Sequence, residues 1–197
     1  AAMVLVAGLG IWGMSDTNRA VGNLYNDRLQ PTQALASIGK LMADNRSQVL
    51  LSLQHDPAGP YASLHDHPLD FHIKQIDANV AEIALQWELY KKTVGAEEHR
   101  QMADAFDEAR KRYVVDGLIP AKEALLGGLF GEANLILLKR INPSYTVAAQ
   151  KASDLFKFQV QQGQAQLADS EQTFTSERLW ILLVVFLALA IGSAIAV

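Results

Sequence analysis

The sequence contains no cysteine, which excludes a disulfide framework, thiolate zinc sites and cysteine nucleophiles. It has little excess of either charge. Seventeen basic residues face 21 acidic ones, the net charge is −4, and no long basic block offers a footprint for nucleic acid. It lacks a G-x-S-x-G elbow, a Walker loop, an H-E-x-x-H pair and a dinucleotide fingerprint, so the expectation is a protein that is not an enzyme and carries no cofactor. No low-complexity tract and no strand-like alternation of polar and apolar residues compete with a helical reading.

What is present begins at the ends. Leu179 to Val197 (LWILLVVFLALAIGSAIAV) holds no charged side chain. Nineteen helical residues cover roughly 29 Å, near the hydrocarbon thickness of a bilayer, and Trp180 suits the interfacial belt. The segment is read as a transmembrane helix. Ala1 to Met14 is also uncharged but too short to span, and is read as the end of a first membrane helix whose beginning is missing. Residues 15 to 178 between them form one expected domain.

Within that domain apolar residues recur at helical spacing. A first helix from Thr17 to about Gln54, capped by Asp16 or Thr17, carries Leu24, Leu35, Ile38, Met42, Val49 and Leu53, with Pro31 bending rather than breaking it. Residues 55–67 (HDPAGPYASLHDH) read as a loop. Pro68 opens a second helix with His67 as N-cap, followed by Leu69, Ile73, Ile76, Val80, Ile83, Trp87, Tyr90 and Val94 in heptad rhythm. A third helix carries Met102, Phe106, Ala109, Tyr113, Gly117 and Ala121 past Pro120. GGLFG at 127–131 joins two helices and reads as a tight turn rather than a phosphate cradle. A fourth runs from about Glu132 through Leu137, Ile141, Tyr145, Ala148, Ala152, Leu155, Gln159 and Gln162, kinked at Pro143. A chain that leaves a membrane and returns to it needs an even number of antiparallel helices. The predicted fold is all-α, an up-down-up-down four-helix bundle between two transmembrane helices.

Span, bundle and span resemble the sensory module of bacterial methyl-accepting chemotaxis proteins of the four-helix-bundle type. LYNDRLQP at 24–31, RYVVDGLIPAKEALLGGLFGEAN at 112–134 and INPSY at 141–145, followed by an Ala- and Gln-rich helix, are similar to that family. The resemblance implies a homodimer in the bacterial inner membrane whose bundle projects into the periplasm and binds small solutes directly or through binding proteins. It implies further that the second span leads to a HAMP domain and a signalling hairpin engaging CheW and the kinase CheA.

Counting down from the 127–131 turn places Arg112 and Tyr145 at a common height, roughly 22 Å below it, facing each other. Asn45 and Arg46 of helix 1 and Ala78 of helix 2 fall near that height, with Arg110, Arg140 and Thr146 close by. Arginine forks match carboxylates, and tyrosine and threonine hydroxyls complete their coordination, so a small organic anion is the expected ligand, with a di- or tricarboxylate such as malate or citrate favoured. In the aspartate-receptor branch, helix 1 arginines and a helix 4 threonine hold the ligand at the dimer interface. The resemblance assigns those roles to Arg46 and to Thr146 with Tyr145. Helix 1 has one arginine in its distal half where that branch uses several, so helix 3 arginines would substitute. Arg110, Lys111 and Arg112 also follow Asp104, Asp107 and Glu108 at ion-pairing distance along the helix.

A second cluster, His55, Asp56, His65, Asp66, His67, Asp70 and His72, holds four of the five histidines. Such groups suit zinc or nickel, or titrate as a pH sensor. A solvated loop with helix-capping residues is the plainer account, and no metal site is assigned. Two other readings of the whole chain remain open: the sensor domain of a histidine kinase, and an indirect sensor that docks a periplasmic binding protein.

Overall fold

A computed structural model describes residues 2–196. Among them every regular element is helical. The helices are α1 (Ala2–Leu24), α2 (Gln30–Ser52), α3 (Asp70–Lys91), α4 (Glu97–Arg112), α5 (Ile119–Leu126), α6 (Phe130–Ile136) and α7 (Asn142–Ala196). Short π-helical turns, Tyr25–Leu29, Tyr113–Leu118 and Leu137–Ile141, join α1 to α2, α4 to α5 and α6 to α7.

These three turns share a cause. Each lies just before a proline that occupies the second position of the next helix: Pro31, Pro120 and Pro143. Proline lacks the N–H for the ordinary i→i−4 bond and its ring crowds the carbonyl one turn back, so the ladder shifts locally to the wider π register. The expected bends at these prolines are thus absorbed without ending helical structure.

The chain divides into two units, residues 31–159 and the remainder at both ends. In the first, pairs of touching side chains give the topology. Asp44 meets Asn79 and Gln48 meets His72, so α2 and α3 run antiparallel. Trp87 packs on Phe106 and Tyr90 on His99, which sets α4 antiparallel to α3; His99 against Phe158 and Gly117 against Ile141 set the fourth rod antiparallel to the third. The core follows a strict three-four rhythm on α2, where Leu35, Ile38, Met42, Asn45, Val49 and Ser52 are all buried. Ile76, Ile83, Trp87, Phe106, Tyr113, Leu125, Leu137, Ile141, Ala148 and Leu155 complete it.

Two glycines are required by geometry. Gly128 has φ +73° and closes α5: the Leu129 N–H donates to the Ala124 carbonyl (2.8 Å) and the Gly128 N–H to that of Leu125 (3.0 Å). A Cβ on Gly117 would stand 3.0 Å from Ile141 Cγ1, so two π turns meet where no side chain fits.

Some boundaries differ from expectation. The first helix does not start at a cap at Asp16 or Thr17. Helix runs through from Ala2, and the Thr17 hydroxyl donates to the Gly13 carbonyl (2.9 Å). Likewise α3 begins at Asp70 with no side-chain cap, so His67 is not an N-cap. Leu24 and Gln162 lie exposed rather than in a core. In the second unit, Arg28 Nε donates to Gln166 Oε1 (3.2 Å), pairing the end of α1 region with α7. Among the described residues no helix is long and apolar enough to cross a membrane. The expected spans at 1–14 and 179–197 include side chains at 1–7, 9, 188 and 191–197 that lie outside the described set.

Candidate functional site

The eight residues expected to form one site divide between several places. Arg46, on α2, turns toward α7: its Nε donates to Asn142 Oδ1 (2.7 Å) and its guanidinium carbon lies 5.6 Å from the centre of the Tyr145 ring. Tyr145 in turn leans on Tyr113 (ring centres 6.0 Å apart), whose hydroxyl donates to the Met42 carbonyl (2.9 Å). Burial, with Tyr145 beside it, pushes the Tyr113 phenol well above its ordinary range, and Arg46 offsets part of that. This patch joins α2 to α7 by contacts among the chain's own side chains.

Asn45 is fully buried one position away, and neither atom of its side-chain amide has a hydrogen-bond partner among the described residues. A buried amide left unpaired costs about 1–3 kcal/mol. It occupies a core position of the heptad, so it does not line a surface pocket.

Arg112 does not face Tyr145. It pairs with Glu108 one turn back on α4, as the helical spacing of charges predicts, and lines a groove of ≈ 500 Å³ between α4 and α7. Arg140 lines the same groove, with Glu108, Asp116, Ser144 and Lys151. Arg110 points elsewhere: it pairs with Asp107 (2.7 Å) and lies 5.9 Å from the centre of the Trp87 ring. Burial alone would raise the Asp107 carboxyl, but hydrogen bonds from Lys111 and Arg110 outweigh it and hold the group below its usual value. Thr146 is exposed and its hydroxyl donates to the Asn142 carbonyl (3.0 Å); Ala78 presents an exposed methyl on α3.

Lys151, Ser144 and Asp116 were absent from the expected set, yet a signal for them exists. Arg140 of the preceding π turn with Ser144, Val147 and Lys151 of α7 form one stripe, and Ala105, Glu108 and Arg112 of α4 with Asp116 of the π turn that follows it form the facing one. Each stripe borders the apolar face rather than lying on it. A wheel drawn one position off the core finds both.

The histidine-rich stretch does gather. His55, His65, His67 and His72 bring one ring nitrogen each to within 4.8 Å of the others, and of the acidic members Asp66 stays with them on His67 (2.7 Å), while Asp56 accepts from the Ala58 N–H (2.9 Å) and Asp70 pairs with Lys74 (2.6 Å). The residues of the connecting loop are exposed or half-buried, while His72, on α3, is only 3% exposed.

No curated protein matches the chain. The family model described as the Tar ligand-binding domain homologue matches residues 1–163, most of the sequence and all of the compact helical unit. The chain therefore belongs to the Tar ligand-binding domain homologue family, and is a chemoreceptor periplasmic ligand-binding domain.

Proposed function

We propose that the α4–α7 groove takes a small organic anion, a di- or tricarboxylate such as malate or citrate. The observation that carries this reading is the pair Arg140 and Lys151, which have no ion-pair partner among the described residues and stand in a groove whose third cation, Arg112, is already shared with Glu108. Two unpaired cations suit a ligand with two carboxylates, and the Ser144 oxygen, whose proton goes to the Arg140 carbonyl (2.6 Å), accepts from a hydroxyl between them. Of the two helix pairs that a ligand in such a bundle can bridge, this is the third and fourth. Arg46 is engaged by Asn142 and Tyr145 and stabilises the rods behind the groove.

The reading extends to the whole receptor. The module pairs as a homodimer and performs no catalysis. Its uncharged segment 179–197 crosses the inner membrane, 1–14 is the end of a first membrane helix, and α7 carries the signal toward a HAMP domain, CheW and CheA. A ligand biases such a device only through its different affinity for two arrangements of the bundle, and shifts of about 1–2 Å are the scale for packed helices that move as units.

Calorimetric titration of the chain in detergent micelles against a panel of organic acids tests the site. The expected result is one acid whose binding weakens about tenfold or more in Arg140→Ala and in Lys151→Ala, the scale of a lost charge-assisted hydrogen bond, and is unchanged in Tyr145→Phe. Heat from no acid at all, on folded protein, overturns direct sensing in favour of docking by a partner protein.

A further inference from the structure

The connection between α2 and α3 carries chemistry that organic-anion sensing does not use. His55 ends the short 3-10 turn after α2, His65 and His67 belong to the connecting loop, and His72 lies in the first turn of α3. The rings of His55 and His65 stack at 3.8 Å between centres, and those of His67 and His72 meet edge to face at 4.8 Å.

The hydrogen bonds around the cluster fix which nitrogens face inward. His67 Nδ1 lies 2.7 Å from Asp66 Oδ1, and a carboxylate only accepts, so Nδ1 carries the proton and Nε2 is a bare lone pair. The Asp66 carboxyl is held below its usual value chiefly by that same bond. His72 Nδ1 lies 2.7 Å from Gln48 Oε1. The amide cannot be turned around, because Gln48 Nε2 donates to Asp44 Oδ1 (3.3 Å), and Asp44 is held in turn by Asn79 Nδ2 (2.7 Å). His72 Nε2 is therefore also a lone pair, and it faces His67 Nε2 across 3.0 Å. His55 Nε2 is buried beside them with no hydrogen-bond partner among the described residues.

Lone pairs aimed at one another in a buried place repel unless a cation lies between them. A single shared proton would satisfy His67 and His72 but leave the buried His55 Nε2 orphaned. A metal ion satisfies all of them. Around a tetrahedral ion with nitrogen ligands at 2.0–2.1 Å, the ligand atoms stand about 3.3 Å apart. The His67–His72 pair is already close to that spacing, and the widest separation in the cluster, 4.8 Å, closes with a rotation of exposed-side rings.

We propose that His55, His65, His67 and His72 form a binding site for a divalent late first-row transition-metal ion, with Gln48 and Asp66 as the residues that orient two of its ligands. Four imidazoles with no carboxylate or carbonyl in the inner set select zinc-like ions over magnesium and calcium, which take oxygen ligands. The Asp44–Gln48–His72 and Asp66–His67 chains are the outer support such ligands receive elsewhere. Because the four histidines come from both sides of the α2–α3 connection, the ion clamps that connection onto the helices it joins.

The test uses the tag-free full chain in detergent micelles, stripped with EDTA and titrated with Zn²⁺ against a competing chromophoric chelator, with Mg²⁺ and Ca²⁺ as controls. One Zn²⁺ per chain, no binding of the controls, and the visible absorption of four-coordinate Co²⁺ on substitution are expected. His65→Ala and His67→Ala, which alter partly exposed loop residues, should each weaken binding about 100-fold with the helical circular-dichroism signal intact. Gln48→Leu, which touches no ion, should weaken it about tenfold. Absence of Zn²⁺ and Co²⁺ binding in the folded chain, or binding indifferent to both histidine substitutions, overturns the proposal.

Discussion

Two connections cap neighbouring helix pairs, and they are held in opposite ways. Between α5 and α6 the backbone does everything: Gly128 turns left-handed, two N–H groups return to the carbonyls of Ala124 and Leu125, and no side-chain chemistry is needed. Between α2 and α3 the chain passes through two short 3-10 turns, Leu53–His55 and Ala62–Leu64, closed by local backbone bonds, and what brings its two ends together is side chains, four of them imidazoles. A connection closed by backbone bonds is fixed by two or three residue types and is insensitive to solutes. One closed by ligating side chains has a stability that depends on what is bound.

The strongest way to sharpen this contrast is to add metal. Zinc at a hundred times its dissociation constant should raise the unfolding free energy by about 3 kcal/mol, read from urea denaturation, and the gain should vanish in His67→Ala. No gain would place the α2–α3 connection in the same class as the glycine turn. Next in size, Gly128→Ala forces a Cβ into a left-handed conformation and should cost about 1–2 kcal/mol, equally with and without zinc. A cost that changed with zinc would show the two connections to be coupled.

A smaller effect concerns a residue that neither connection contains. Asn45→Leu replaces an unpaired buried amide by an apolar side chain of similar volume at a heptad position and should stabilise the fold by about 1 kcal/mol, measured by thermal unfolding. Destabilisation would mean that the amide has a partner in the assembled receptor. Smallest is the pH effect at Asp107. Its carboxyl titrates below the unfolded value of 3.8, so its contribution is complete above that pH and is lost as pH falls through the lower folded value. Asp107→Asn should flatten acid unfolding below pH 4 by less than about 1 kcal/mol, since Asp107 is partly solvated.

Much of the bundle was legible because its signals are local. The three-four spacing from Leu35 to Val49 and from Leu69 to Tyr90 reports burial on one face wherever the helices end up, and GGLFG needs only its glycines to make a turn. The π turns were not read, although the prolines behind them were: periodicity shows that a helix continues past Pro31, but the register of its hydrogen bonds depends on how the flanking carbonyls are accommodated. The proposed anion site was legible only as a set of arginines at one height. Height along a rod follows from residue counting, whereas azimuth depends on how each helix is rotated against its neighbours, and that rotation sends Arg112 and Arg140 to one groove, Arg46 to Tyr145, and Arg110 to Trp87.

The sequence by itself determined the all-helical class, the rods and their polar and apolar faces, and the family, because each rests on spacing along one chain. Tertiary structure alone decided which polar residues meet across different helices. Four histidines spread over eighteen positions converge because two antiparallel helices bring the ends of one loop together, and because Gln48, 24 residues before His72, turns that ring inward.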